Sequence, residues 1–242
     1  MSRKIWNRLA EDFEVAVCDV TRSSGRQVAE LVRRTKPSRQ QMLIDAGCGI
    51  GSFSRRFGRR FGSLIAFDFA AKMVARAKER CPAAIDATWM TLGLEDAAAK
   101  IGPLGDFVAC LNVITSTDAD LRRRQWESLA GLVRPSGYAL IVVPSLESAF
   151  RVVEFADPEN RIHASEFASG IVFRGEYQQK HYSREELRAT VTDEGLRIVS
   201  LKRIHYPWSD DGVDDPGRTP PWSWVVLARK RTRSGTNNGH LL

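Results

Sequence analysis

The chain alternates short apolar runs with stretches in which apolar residues recur at helical spacing. Apolar runs begin near Leu43, Leu64 and Phe107, and none of them shows the polar alternation of a half-exposed strand. Unbroken apolar runs of this kind are typical of parallel strands that are covered on both faces. The stretches between them, such as the one containing Phe53 and Phe57, are typical of helices that pack on a sheet. The pattern therefore predicts an α/β fold.

Proline and glycine residues divide this pattern into elements. Pro37, Gly62, Pro82 and Gly195 each follow a helical stretch, at positions where such residues end helices. The predicted helices cover 5–20, 24–35, 52–61, 70–80, 121–133 and 183–194, and the predicted strands cover 43–46, 64–68, 85–91, 106–112, 138–144, 196–204 and 223–228.

The regular alternation stops after the fifth predicted strand. Residues 145–182 are too many for an ordinary connection, and they are rich in aromatic side chains. We interpret this segment as a cap inserted over the active site. The chain is expected to form a single domain over 1–232, with N-terminal helices in 1–36 and a flexible tail at 233–242.

The composition is ordinary for a globular protein, with 43% hydrophobic and 27% charged residues among 242. The 36 basic and 29 acidic residues give a formal net charge of +7. Such a charge indicates either an anionic partner or simply a soluble, arginine-rich surface. The basic residues lie on predicted helix faces without interleaved aromatic residues, so nucleic acid is not the favoured partner.

The cysteines show no spacing that would indicate a metal site. Cys18, Cys48, Cys81 and Cys110 form neither a CxxC pair nor a Cys/His pattern, and we expect neither a metal nor a disulfide. No apolar run resembles a signal peptide or reaches the roughly twenty residues of a membrane helix. We expect a cytoplasmic protein without a membrane segment, either a monomer or a homodimer.

A glycine-rich turn, D-A-G-C-G-I-G from Asp45 to Gly51, follows the first predicted strand. Glycines at alternate positions let the backbone lie against a ligand and adopt φ values that other residues avoid. Ser52 stands where a dinucleotide-binding turn would have its last glycine, which weakens an NAD interpretation. Asp68 ends the second strand, where a carboxylate can accept hydrogen bonds from both hydroxyls of a ribose.

These residues resemble the class I S-adenosylmethionine-dependent methyltransferases, whose signature is an apolar strand, D-x-G-x-G-x-G and an acidic residue ending the next strand. The resemblance extends to 106–112 as the fourth strand and 134–144 as the turn and fifth strand. It implies a Rossmann-like sheet of seven strands in the order 3-2-1-4-5-7-6, with the last strand antiparallel and helices on both faces. It also implies S-adenosylmethionine as methyl donor, S-adenosylhomocysteine as product, and no metal.

The resemblance assigns the cofactor to residues of the glycine turn and of the strand ends, namely Asp45, Gly47, Cys48, Gly49, Gly51, Asp68, Phe69, Met73, Leu94, Glu95 and Asn112. Leu94 departs from the family, which commonly has an aspartate here for the adenine amine. Either backbone and apolar contacts hold the adenine, or Glu95 or Asp96 takes over this role. We assign the role to Glu95.

The acceptor site is expected beneath the cap. A base within hydrogen-bond reach assists methyl transfer to a hydroxyl or a protonated amine. The candidates in the cap and at its exit are His163, His181, Glu154 and Glu176. The side chains expected to bind the acceptor are aromatic and include Trp6, Phe13, Phe155, Phe173 and Tyr177.

Three functions remain open from the sequence. Methyl transfer to an oxygen, nitrogen or carbon of a small molecule is favoured by the aromatic cap. The net charge would suit an RNA-modifying methyltransferase, although no Asn/Asp-Pro-Pro-aromatic pattern stands at Asn112. A cofactor-binding regulatory protein without transfer activity would fit Leu94 and the lack of a histidine directly after the fourth strand.

Overall fold

The computed structural model describes residues 3–11, 13, 19–83, 86–156, 164–174 and 177–232. Its strands are β1 (Met42–Ala46), β2 (Ser63–Asp68), β3 (Ala87–Thr91), β4 (Gly105–Leu111), β5 (Val133–Pro144), β6 (Ile171–Arg174), β7 (Tyr177–Lys180), β8 (Leu196–His205) and β9 (Trp222–Lys230). Its α-helices are α1 (Arg3–Leu9), α2 (Val20–Ser23), α3 (Gly25–Arg34), α4 (Ser52–Phe57), α5 (Ala71–Arg80), α6 (Leu94–Ile101), α7 (Ala119–Leu132), α8 (Leu146–Ala156), α9 (Ala164–Ser169) and α10 (Arg184–Asp193).

A seven-stranded sheet in the order β3-β2-β1-β4-β5-β9-β8 forms the centre of the fold. Strands β1 to β5 pair in parallel, whereas β9 runs antiparallel to both β5 and β8. The predicted strand order and the antiparallel last strand are therefore confirmed. Because β8 and β5 are each antiparallel to β9, they run in the same direction. The carboxyl ends of β1, β4, β5 and β8 consequently meet at one edge of the sheet.

Helices cover both faces of this sheet. Helices α3 and α4 bury Val32, Phe53 and Phe57 against one face, and α6, α7 and α10 bury residues such as Trp126 and Leu187 against the other. With both faces covered, the central strands can be apolar at every position, which is the pattern that the sequence shows.

The helix after the glycine turn is shorter than predicted. Helix α4 ends at Phe57, and the chain continues as a 3₁₀ turn over Gly58–Arg60. The Arg39 side chain donates to the carbonyl oxygens of Arg59 and Phe61, at 2.8 Å each, and so satisfies groups that a longer helix would have used. Phe61 remains buried, with its ring 5.6 Å from that of Phe107.

The segment predicted to be a cap contains α8, α9 and the antiparallel hairpin of β6 and β7. Its two ends lie side by side. The Tyr182 amide donates to the Pro144 carbonyl at 2.9 Å, and the Leu146 amide donates to the Tyr182 carbonyl at 3.0 Å. The chain therefore leaves the sheet after β5 and returns to the same place before α10.

Several expectations fall on parts of the chain that the structure describes only in part. Of the helix predicted over 5–20, α1 and α2 are described, and residues 12 and 14–18 lie outside the described ranges. His163, Glu176 and the tail at 233–242 also lie outside them. Among the residues that are described, no helix is long and apolar enough to cross a membrane.

Candidate functional site

A cavity of about 600 Å³ lies at the sheet edge where the parallel strands end. Its lining comes from the glycine turn, the ends of β2 and β4, helix α1, the exit of the cap and the loop that follows β8. Segments distant in the sequence meet here because they follow strands that run in the same direction. This is the edge at which open α/β sheets bind ligands.

The glycine turn lines the cavity with Gly47, Cys48 and Gly49, whereas Gly51 packs against Ala77 outside the lining. Gly47, Gly49 and Gly51 have φ values of +71°, +50° and +78°, in the left-handed region that favours glycine. A Cβ atom at Gly47 would lie 2.3 Å from Cγ2 of Val113. The backbone therefore passes too close to its neighbours for a side chain at this position.

Asp45 is buried beneath the turn and holds it to α4. Its Oδ2 accepts hydrogen bonds from the Ser54 amide at 3.1 Å and from the Ser54 hydroxyl at 2.5 Å. Burial nevertheless dominates and raises the pKa of Asp45 to about 6, because removal from water disfavours the charged form.

Asp68, at the end of β2, faces the turn. Its Oδ2 accepts from the Gly49 amide at 3.1 Å and its Oδ1 accepts from the Ala70 amide at 2.9 Å. Burial raises the pKa of this carboxyl, and the two amides oppose that shift. Each carboxylate oxygen can accept a further hydrogen bond, so this side chain can receive two hydroxyl groups of a ligand.

Glu95 lies at the start of α6 and folds back over Gly93. A Cβ atom at Gly93 would stand 2.4 Å from Oε1 of Glu95, so the absence of a side chain there makes room for the carboxylate. The Gln125 amide nitrogen lies 3.5 Å from the other carboxylate oxygen of Glu95. Leu94 is buried beside them, and all four residues line the cavity.

Asn112 follows β4 with a φ of +57°, which is unusual for a residue other than glycine. Its amide donates to the Val142 carbonyl at 2.8 Å. Its side-chain Oδ1 is buried and has no hydrogen-bond partner among the described residues. A left-handed backbone and an unpartnered acceptor at a cavity wall are typical of a ligand contact.

Helix α1 and the residues that follow β2 form one wall of the cavity. Trp6 and Phe13 line the cavity with Phe69 and Met73, and the Trp6 and Phe13 rings lie 6.3 Å apart. The Lys72 amide donates to the Asn7 side chain at 3.0 Å, which holds α1 against α5.

His181 lines the cavity and is held in place by its two neighbours. The Lys180 amide donates to the Thr115 carbonyl at 2.9 Å, and the Tyr182 hydroxyl donates to the Ile114 carbonyl at 2.9 Å. His181 is 2% exposed, and its Nδ1 lies 3.3 Å from the Gln179 carbonyl oxygen. Since a carbonyl only accepts, this contact favours hydrogen on Nδ1, and the Gln179 side-chain amide nitrogen lies 3.5 Å from Nε2.

The other acceptor candidates lie elsewhere or outside the description. Glu154 is exposed on α8 and does not line the cavity. Phe155 packs edge-on against Trp208, with ring centroids 5.4 Å apart, and does not line the cavity either. Phe173 and Tyr177 stand in the β6–β7 hairpin, and their side chains are outside the described set.

Several cavity residues were missed by the sequence analysis, among them Asp19, Gln125, Tyr206, Asp210 and Asp211. Residues 206–211 follow β8. Because only the last strand was predicted to be antiparallel, the loop after β8 could have been expected at the same sheet edge as the glycine turn. Gln125 lies on α7. The sequence could not have predicted a site role for it, because an isolated glutamine on a helix usually lies on the protein surface.

The comparisons with known proteins agree with this geometry. Residues 43–137 match the family profile of a methyltransferase domain. The chain therefore contains a methyltransferase domain, which begins at β1 and includes the glycine turn. A comparison with curated proteins found no significant match.

Solved methyltransferase structures share the fold across most of the chain. Magnesium protoporphyrin IX methyltransferase from Synechocystis, with bound S-adenosylmethionine, is 17% identical with a TM-score of 0.63, over 94% of both chains. A methyltransferase from Methanosarcina mazei is 15% identical with a TM-score of 0.62, over 83% of this chain and 97% of that one. An N-methyltransferase from Bradyrhizobium japonicum, with S-adenosylhomocysteine, is 12% identical with a TM-score of 0.59, over 85% and 86%.

Asp45 gives a testable dependence of this methyltransferase's stability on pH. The pKa of Asp45 is raised from 3.8 to about 6 by folding, so the folded protein binds this proton more tightly than the unfolded chain. The free energy of unfolding therefore falls as the pH rises from about 4 through 6, by on the order of 3 kcal/mol. Asp45→Asn should remove this fall while keeping an acceptor for Ser54.

The measurement is urea unfolding of wild type and Asp45→Asn at pH 4 and pH 7, with Asp214→Asn as control because Asp214 is exposed. The Asp45 variant should gain stability relative to wild type between the two pH values, and the control should not. Parallel pH profiles for all three proteins would contradict the assignment.

Proposed function

We propose that this methyltransferase transfers the methyl group of S-adenosylmethionine to an oxygen, nitrogen or carbon of a small-molecule acceptor. The observation that carries the proposal is a single cavity that is lined by the glycine turn, by Asp68 and by His181 at the cap exit. When bound, the sulfonium of the cofactor supplies an activated methyl group. The protein's task is then to orient the acceptor and exclude water.

The residues of the cofactor end fit the parts of S-adenosylmethionine. Asp68 has acceptor capacity left for the two ribose hydroxyls. The Asn112 oxygen lacks a partner within the described structure and would accept from the methionine amino group. Glu95, with Gln125 beside it, would accept from the adenine amine in place of the aspartate that Leu94 replaces.

The proposal predicts that cofactor binding depends on Asp68 and on Gly49. Asp68→Ala should weaken S-adenosylhomocysteine binding roughly 10- to 100-fold, because two hydroxyls lose a charged acceptor. Gly49→Val should weaken binding because a β-branched residue is strained at a φ of +50°. Titration calorimetry measures both, with NAD as a control ligand. Unchanged binding in both variants, or tighter binding of NAD, would refute the cofactor assignment.

The assignment of adenine to Glu95 predicts a change of base preference. Glu95→Gln replaces a carboxylate, which only accepts, by an amide that can also donate. The variant should bind S-adenosylhomocysteine roughly tenfold more weakly, and should bind the 6-oxo analogue S-inosylhomocysteine at least as well as wild type does. Because a purely structural defect would weaken both ligands alike, equal losses in calorimetry would count against the role of Glu95.

The acceptor end favours His181 as the proton acceptor among the histidine and glutamate candidates. It is the candidate that lines the cavity within the described part of the chain, and the contact of its Nδ1 with the Gln179 carbonyl favours Nε2 as the basic nitrogen, 3.5 Å from the Gln179 side-chain amide. His181→Asn should lower turnover on the order of a hundredfold while leaving the affinity for S-adenosylhomocysteine within about twofold.

His205→Asn is the matched control for His181, since the Nδ1 atom of His205 also contacts a backbone carbonyl, 2.9 Å away at Pro220, and His205 does not line the cavity. Single-turnover rates with saturating cofactor distinguish the two variants. Normal turnover of the His181 variant would contradict the role of His181 and would leave water as the proton acceptor.

RNA methylation is the second candidate, favoured by the charge distribution. Residues 20–62 contain ten basic residues, all exposed, and two acidic ones, so this segment alone carries a formal +8. The cavity lining, in contrast, includes no lysine or arginine among the described residues, and a phosphate would find no cation there. Retention on RNA that falls steeply with salt, together with transfer of label to RNA, would favour this second candidate.

A further inference from the structure

Gln125 is a buried glutamine whose side-chain oxygen has no donor in the described part of the chain. The residue lies on α7, is 9% exposed and lines the cavity. Its Oε1 atom is buried and accepts no hydrogen bond from any residue that the structure describes. A buried amide oxygen without a donor is energetically costly, and such atoms in native proteins usually meet a partner. At a cavity wall, that partner can be a bound ligand.

Glu95 determines which end of the Gln125 amide faces it. The Nε2 atom of Gln125 lies 3.5 Å from Oε2 of Glu95. Because a carboxylate only accepts hydrogen bonds, the opposite orientation of the amide would place two oxygen atoms against each other. The nitrogen is therefore directed to Glu95, and the oxygen is left for another donor. This oxygen is bonded to the same carbon as the nitrogen, so the acceptors of Gln125 and Glu95 lie side by side.

The two helices that carry this pair are held in a fixed register. Three residues beyond the pair on each helix, the Ala98 amide of α6 donates to the Ser128 hydroxyl of α7 at 2.9 Å. Side chains three residues apart lie on the same face of a helix. Next to Gln125, the buried Trp126 ring meets the Tyr182 ring edge-on, with centroids 5.9 Å apart. Helix packing therefore positions Gln125, as it must for a side chain that recognises a ligand.

The Glu95 carboxylate and Oε1 of Gln125 together fit a ligand group that donates two hydrogens from one atom. The 6-amine of adenine is such a group, because its nitrogen carries two hydrogens in the plane of the ring. A hydroxyl would satisfy only one of the two acceptors, and a carbonyl would satisfy neither. Leu94, which precedes Glu95, has no polar side-chain atom to offer this amine.

We propose that Gln125 is a specificity-determining residue of the cofactor site. Its Oε1 accepts one hydrogen of the adenine 6-amine, and the Glu95 carboxylate accepts the other. The proposal rests on the proposed function and adds to it a second residue that recognises the base. It makes the site selective for an unsubstituted amine, because each hydrogen that is lost leaves a buried acceptor without a partner.

The first experiment compares S-adenosylhomocysteine with its purine analogue, in which a hydrogen replaces the 6-amine. Gln125→Met keeps the length of the side chain and removes both polar atoms. The variant should bind S-adenosylhomocysteine about tenfold more weakly than wild type, and the purine analogue within about twofold of wild type. Gln125→Leu, a second apolar replacement, should show the same pattern. Titration calorimetry measures these affinities, and equal losses for the two ligands, or no loss for either, overturn the proposal.

Two other variants separate recognition of the base from general effects. Asp68→Ala should weaken both ligands alike, because Asp68 is assigned to the ribose hydroxyls. Ser128→Ala removes the neighbouring contact between α6 and α7 outside the cavity lining. It should lower the midpoint of thermal unfolding without changing the ratio of the two affinities. If Ser128→Ala changes that ratio as much as Gln125→Met does, helix packing explains the effect and the proposal is wrong.

The second experiment tests whether Gln125 contacts the amine directly or acts only through Glu95. The N6-methyl analogue of S-adenosylhomocysteine keeps one hydrogen and adds a methyl group. Wild type should bind this analogue at least about tenfold more weakly than the parent ligand. Gln125→Met should bind the two within about threefold, because a thioether packs against a methyl group without needing a donor. Equal binding by wild type, or a penalty that persists in Gln125→Met, excludes the direct contact.

The inference and the proposed function can fail separately. If wild type binds S-adenosylhomocysteine and Gln125→Met weakens both ligands alike, the cofactor assignment stands and Gln125 does not recognise the amine. If wild type unfolds cooperatively and yet does not bind S-adenosylhomocysteine, the cofactor assignment is wrong, and the inference about Gln125 is wrong with it.

Discussion

The site depends on the hydrogen bonds that join the glycine turn to the end of β2. The Cys48 amide donates to the Phe67 carbonyl at 2.8 Å, and the Gly49 amide donates to Asp68 at 3.1 Å. These two bonds can form because glycines permit left-handed φ values at alternate positions of the turn. They fix the position of the turn relative to the Asp68 carboxylate. The spacing of the glycines in the sequence thus reflects the backbone φ values that these hydrogen bonds require.

Basic residues lie on the surface of the protein, whereas acidic residues line the cavity. The exposed basic residues cluster on α3, α4 and the connections beside them, while the described cavity lining contains carboxylates and no fixed cation. The net charge of +7 therefore describes the solvent-facing helices and gives no guide to what enters the cavity. A cationic cofactor is compatible with such an interior, because the attraction between opposite charges is stronger where water is excluded.

The sequence was sufficient for the sheet and for the backbone of the glycine turn, because periodicity and local turn chemistry act over short distances. The sequence was insufficient where contacts between distant residues determine the local structure. Arg39, a distant residue, donates to the carbonyls of Arg59 and Phe61 just beyond the end of α4, and no local pattern predicts this contact. The pairing of Gln125 with Glu95 joins two helices that no local pattern relates. Aromatic content suggested that Phe155 binds the acceptor, yet an aromatic ring packs equally well on Trp208, and only the fold distinguishes these outcomes.

One short segment after β4 connects Asn112 to the hydrogen bonds that hold the residues around His181. Asn112 begins it with its left-handed backbone, and Ile114 and Thr115 receive hydrogen bonds from Tyr182 and Lys180. Lys180 is itself fixed, since its buried ammonium contacts Glu186 at 2.7 Å and the Ser169 carbonyl at 2.8 Å. His181 stands between these two anchors, so its distance from the cofactor site is set by the backbone after β4. The strand end that supplies Asn112 therefore also anchors the segment around His181, because Ile114 and Thr115 follow it directly.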